Sequence, residues 1–160
     1  MAVAEIIGSA FGAIILIVIA YLLVGNVLTT AEVVSNAQKD LTILSEARLH
    51  TDLRITNVSI TGPAVNLTVV NTGSQIITDF VHTTVFVYRD GDPGYQIYIY
   101  NATDTQTVGS WSKTILDDYV HPGELDPGEE MFVNAYPAST PLRFEAGICT
   151  NNGVYASVIV

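Results

Sequence analysis

An α+β chain, with one long N-terminal helix followed by an all-β antiparallel sandwich, is predicted by three features of the sequence. Residues 6–24 carry no charge and are almost wholly apolar. From Val27 to about His50 there is no Gly or Pro, and apolar residues recur at spacings of three and four. Beyond residue 53 the pattern changes to short β-rich runs separated by turn residues at intervals of roughly ten. The expected division is therefore a helix over residues 1–50 and a β domain over 51–160.

The apolar run comes first. At 1.5 Å per residue, about 20 such residues match a hydrocarbon core roughly 30 Å thick. Its span, residues 6–25, includes Ile6, Phe11, Ile14, Ile17, Tyr21 and Val24 as the residues expected in a membrane or in an apolar filament core. A secretory signal peptide fits poorly, because no basic segment precedes the run and its apolar part is longer than the usual 7–15 residues. Tyr21 near the far end suits a membrane interface. A mean hydropathy of +0.38 agrees with apolar residues gathered where no water is needed.

The helical pattern outlasts a bilayer. Leu28, Ala31, Val34, Ala37, Leu41 and Leu44 form a narrow apolar stripe, with Thr30, Ser35, Gln38, Lys39, Asp40, Ser45 and Glu46 elsewhere. A helix over residues 3–48 would be roughly 65–70 Å long, more than twice a bilayer's need. Glu32 and Lys39 are not spaced for an i,i+4 ion pair, so stability must come from packing the stripe. A seam with other helices and a stalk laid on the β domain are both compatible with it.

The β domain follows. Strands are expected at residues 53–60, 64–71, 80–88, 95–100, 111–116, 130–136, 142–149 and 154–160. Residues 64–71 alternate Val65, Leu67 and Val69 against Asn66 and Thr68. Turns are signalled by Thr61-Gly62-Pro63, by Thr72-Gly73-Ser74 with its Gly at positive φ, by residues 90–94, and by Asp126-Pro127-Gly128. The apolar C-terminus is expected to be a paired strand. Eight short strands with regular turn signals make an immunoglobulin-like sandwich.

Composition narrows the function. The charged fraction is 14% and the net charge −10, with all six basic residues at or beyond Lys39, a balance that repels nucleic acid. Cys149 is the one cysteine, so there is no intrachain disulfide and no thiolate metal site; it is expected to be a small buried residue. His50, His82 and His121 lack metal-ligand spacing, and no nucleophile elbow or phosphate-binding loop occurs. No catalytic residue, metal, cofactor or small-molecule substrate is expected. Asp90 and Asp92 with Asp104, or Asp117, Asp118, Glu124 and Asp126, read as solvated loop acids more readily than as a Ca²⁺ site. Three sequons, at Asn57, Asn66 and Asn101, make N-glycosylation possible and place the β domain outside the cell. The plainer reading is that Asn and Thr serve strand edges and turns.

Together these residues resemble the archaeal flagellin superfamily, in which a type IV pilin-like helix precedes a β-sandwich, and most closely the archaeal flagellar protein F family. The resemblance is carried by residues 6–23, by Thr29-Thr30-Ala31-Glu32-Val33-Val34, by Ala37-Gln38-Lys39-Asp40-Leu41 and by Glu46-Ala47-Arg48. Asn71-Thr72-Gly73, residues 125–129 and Asn151-Asn152-Gly153-Val154-Tyr155 extend it along the chain, their order mattering more than any one motif. It implies a structural part in the archaellum: a membrane anchor, a head engaging the S-layer as a stator, other archaellum subunits or copies of itself as partners, and a place in the archaeal envelope. The alternative it leaves open is a filament subunit whose helices form the core. The absence of a basic leader departs from filament subunits. Glu5 keeps that alternative in play, because such filaments can pair a carboxylate there with a neighbour's terminal amine.

Overall fold

The computed structural model describes residues 2–89, 94–139 and 143–160, without the side chains of residues 2, 4 and 5. The expected charge pairing of Glu5 and the loop acids Asp90 and Asp92 lie outside the described residues. The chain forms two compact units, Met1–Ile43 and Leu44–Val160.

The first unit is helical, the greater part of α1 (Ala2–His50). It begins and ends within two residues of the span read from the sequence. Its apolar side chains, from Ile6 to Leu41, are exposed around the whole circumference. Each step of three residues falls about 60° short of a full turn on an α-helix, so the stripe from Leu28 to Leu44 winds around the rod. Leu28 and Leu44 end roughly 160° apart.

The second unit begins at Leu44, so the last turns of α1 are grouped with the β domain. Its described residues build eight strands: β1 (Leu53–Thr61), β2 (Ala64–Asn71), β3 (Thr84–Arg89), β4 (Gln96–Tyr100), β5 (Ser110–Ile115), β6 (Glu130–Ala135), β7 (Phe144–Cys149) and β8 (Tyr155–Ile159). They pair in the order β1-β2-β6-β5-β4-β3-β7-β8. One strand joins the two layers. β4 runs antiparallel to β3 through Val85↔Tyr98 and Phe86↔Ile97, then parallel to β5 through Ile99↔Ser110 and Tyr100↔Trp111. All other strand pairs are antiparallel, as expected, and β1 and β8 come into contact to close the fold.

Period-two alternation places one side of every strand inward. Val65, Leu67 and Val69 of β2 stand opposite Ala135, Val133 and Met131 of β6. Val85 and Val87 of β3 stand opposite Ile148 and Ala146 of β7, and all ten are buried. Trp111, fully buried, packs against Tyr100 with ring centroids 4.8 Å apart. Removing a Leu or Trp side chain from such a core costs about 2–5 kcal/mol.

Three expectations need correction. The strand expected over 80–88 begins only at Thr84, because Asp79 turns the chain first: its carboxylate accepts the His82 N–H at 3.1 Å, and its carbonyl accepts the Thr83 hydroxyl at 2.7 Å. Phe80 is buried even so, beneath the Lys113 ammonium, which lies 3.9 Å from the ring centroid. Cys149 is only partly buried, since alternation turns Ile148 inward and Cys149 outward. Gly73 does not have positive φ; it is needed for close approach, because a Cβ there would lie 2.5 Å from both the Asp52 nitrogen and the His50 oxygen. Gly128, by contrast, has φ 87°, as a Pro-Gly turn demands.

Candidate assembly surfaces

Within the second unit, motifs far apart in sequence converge on the C-terminal end of α1. The last carbonyls of a helix lack intrahelical partners and must find them elsewhere. The His50 carbonyl accepts the Ser74 and Gln75 N–H groups at 2.8 and 2.9 Å, and the Asp52 carbonyl accepts Thr72 and Gly73. The Ala47 carbonyl accepts the Thr51 hydroxyl at 2.7 Å, and Asn152 Nδ2 donates to that same hydroxyl at 2.7 Å. Arg48 Nε donates to the Asn152 carbonyl.

Beneath this cap lies Asn71, a fully buried polar side chain. Its Nδ2 donates to the carbonyls of Gln75 at 2.9 Å and Leu125 at 3.0 Å, while its Oδ1 accepts the Gly73 N–H at 3.1 Å. Asn71-Thr72-Gly73, the turn at 125–129 and Asn151-Asn152-Gly153 thus serve one purpose: they seat the helix base on the head. Sequence reading treated the first two as turns and missed the buried amide. Its available signal was a polar residue closing an otherwise apolar inward row.

Over residues 6–24 the helix offers apolar surface almost without polar interruption, and beyond it apolar side chains alternate with polar ones. Ile6, Phe11, Ile14, Ile17, Tyr21 and Val24 are exposed, as are Leu28, Val34, Leu41 and Leu44. Ser9, Thr29 and Thr30 satisfy their hydroxyls on the carbonyls of Ile6, Gly25 and Asn26 at 2.8–3.0 Å. Such back-bonding lets a hydroxyl enter an apolar medium without an unmet donor. The helix is long and apolar enough to cross a membrane by length and composition.

A second apolar surface covers the outer face of β4-β3-β7-β8. Register places Ile97, Phe86, Gly147 and Ser157 in one row, with Tyr88, Glu145 and Ile159 in the next. The Phe86 ring lies across Gly147, where an added Cβ would come within 2.4 Å of it. Tyr95 meets Phe86 edge-on at 5.4 Å and donates to Glu145 Oε2 at 3.0 Å. Ile97, Ile99, Tyr155 and Ile159 are left exposed. Clustered aromatic and branched side chains on an exposed sheet face make it a candidate protein-binding surface.

The remaining candidates are tied up locally. His121 Nδ1 bonds Asp126 at 2.9 Å, and this carboxylate is the first cause of a raised His121 pKa. Asp79 is held below its ordinary pKa, chiefly by its hydrogen bond to His82. Asp104 is likewise lowered by hydrogen bonds from Tyr136 and Ser112. Among the described residues no three metal-ligating side chains gather. Of the sequon asparagines, Asn57 lies in β1, Asn66 in β2 and Asn101 in the loop after β4.

These features define a class by its parts: an exposed apolar helix in the first unit, and in the second a small β domain into which the last turns of α1 are capped. No protein-family model matches the chain, and no curated protein does. Solved structures do. The chain is similar to the archaellum periplasmic stator protein FlaG from Sulfolobus acidocaldarius, with 23% identity and TM-score 0.53 over 69% of this chain and 99% of that one. It is similar also to the archaellum periplasmic stator complex of FlaF and FlaG from the same organism, with 23% identity and TM-score 0.52 over 68% and 87%. Flagellin FlaB1 from Methanocaldococcus jannaschii matches at 14% identity and TM-score 0.53 over 68% and 88%. At these identities the likeness establishes a shared fold.

Proposed function

We propose that this chain is a non-enzymatic structural component of the archaellum, anchored in the archaeal membrane by residues 6–25, with its head outside engaging the S-layer as a stator. The observation that carries the reading is the joining of an exposed apolar rod to a head with the fold of the stator proteins FlaG and FlaF. A stator head must hold its fold under load, and within the second unit the capped end of α1 at His50 and Thr51 is bonded into the β domain. The outer face around Phe86, Tyr95 and Ile97 is the surface offered to S-layer protein, to another archaellum subunit or to a second copy.

A filament subunit is the second reading, favoured by the FlaB1 likeness and by a stripe that winds around the rod. A winding stripe meets several neighbouring helices, as a filament core requires, with Glu5 available to pair with a neighbour's amine. Mass spectrometry of sheared filaments and washed membranes separates the two. A stator remains with the membrane, and its deletion leaves filaments assembled on cells that do not swim. Dominance of this chain in purified filaments would refute the stator reading.

A further inference from the structure

The three sequons are not equivalent in the fold, and their geometry separates them. Asn57-Val58-Ser59 and Asn66-Leu67-Thr68 face each other across β1 and β2, with Asn57 opposite Thr68 and Ser59 opposite Asn66. Asn66 is held on its other side as well, opposite Asn134 of β6, and Thr68 is buried. Both sequons thus lie in extended backbone committed to strand pairing, with Asn57 and Ser59 exposed on the end strand β1. Asn101-Ala102-Thr103 is different. It begins the loop after β4, where the Asp104 N–H donates to the Asn101 carbonyl at 3.4 Å and closes a turn. Within that turn the Thr103 N–H and hydroxyl both donate to Asn101 Oδ1, at 3.1 and 2.8 Å. Thr103 and its neighbours through Gly109 are exposed.

We propose that Asn101 is the N-glycosylation site of this protein and that Asn57 and Asn66 remain unmodified once the head has folded. The sequon at Asn101 already brings its hydroxyl onto the acceptor carboxamide; the Asn101 N–H still donates to the Trp111 carbonyl at 2.8 Å and the residue is half-buried, but the chain from Ala102 to Gly109 is an exposed loop outside the strands. The donor is a lipid-linked, phosphate-activated oligosaccharide. Asn101 Nδ2 forms a bond to the sugar anomeric carbon as the bond from that carbon to the phosphate oxygen breaks. The lipid phosphate leaves with the bonding electrons, and the displaced amide proton passes to the transferase's base. The hydrogen bond from Nδ2 to Thr105 Oγ1, 2.6 Å, is the local contact given up. The inference rests on the proposed placement of the head outside the cell.

Tryptic cleavage makes the test direct, because the peptide 90–113 contains only Asn101 while 55–89 contains Asn57 and Asn66. The full chain is isolated from membranes of its own cells, and its peptides are weighed. The expected result is a glycan mass on 90–113, absent in N101Q and T103A and retained in T103S and N66Q, with 55–89 unmodified. A glycan on 55–89, or an unmodified 90–113, overturns the proposal. In that event, a membrane-impermeant maleimide on T61C in intact cells shows which premise failed. Labelling leaves the external placement standing and condemns the choice of site, whereas no labelling removes the placement itself.

Discussion

Replacing Asn71 with alanine tests the seating of the helix base most directly. Asn71 is fully buried and makes three side-chain hydrogen bonds, to Gln75, Leu125 and Gly73. At about 0.5–1.5 kcal/mol each, with buried backbone groups left unmet, N71A is expected to cost about 3 kcal/mol. With a urea slope of roughly 1.5 kcal/mol/M, the unfolding midpoint falls by about 2 M. Trp111, the one tryptophan and fully buried, reports that transition by fluorescence in detergent-solubilised full-length chain. N71D adds a pH signature. The introduced carboxyl would face the two carbonyls that Nδ2 now serves, so its folded pKa rises above the ordinary value of about 3.9. A group with a raised folded pKa loses stability as pH rises, so the deficit of N71D relative to the parent widens from pH 4 to pH 7. A midpoint shift below about 0.5 M for N71A, or a pH-independent deficit for N71D, would refute the account of this amide as the linchpin of the cap.

Three further outcomes follow from the same geometry. His121 is expected to titrate above its ordinary value by NMR and to return toward it in D126N; its contribution to stability is complete below about pH 6.5 and is lost as pH rises through the folded pKa. I17R, at the centre of the apolar run, is expected to disfavour membrane insertion by about 3–4 kcal/mol, read as protein shifting from the membrane pellet to the soluble fraction. I97D with Y155D on the outer face is expected to abolish partner binding in pull-downs while changing head stability by less than about 1 kcal/mol, since both side chains are exposed.

Periodic features were legible in the sequence because each residue reports its own environment. The helix and β2 are found where alternation and turn signals place them, β2 matching from Ala64 to Asn71. The error at residues 80–83 has a physical origin: alternation persists there, but Asp79 offers the backbone a competing turn that alternation cannot register. The parallel β4–β5 pairing was invisible because strand direction depends on long-range topology. Asn71 was hidden for a similar reason. Its partners at Leu125 and Gln75 belong to segments that meet only in the folded head. The assembly surfaces divide likewise: the apolar rod is plain in composition, whereas the outer face of β4-β3-β7-β8 emerges only when four strands are set in register.

The shared strand β4 governs how the head carries force. A pull arriving through the helix base enters β1 and passes as shear along its paired rungs with β2, then through β6 to β5. Between β5 and β4 only two rungs exist, at Ser110 and Trp111, a joint too slight to transmit torque by itself. The strand that receives those rungs at Ile99 and Tyr100 is paired in the other layer at Gln96–Tyr98, so a load passing between the layers through the sheet concentrates on this short joint. A head built this way is expected to part at the short β4–β5 joint before its longer antiparallel ladders unzip.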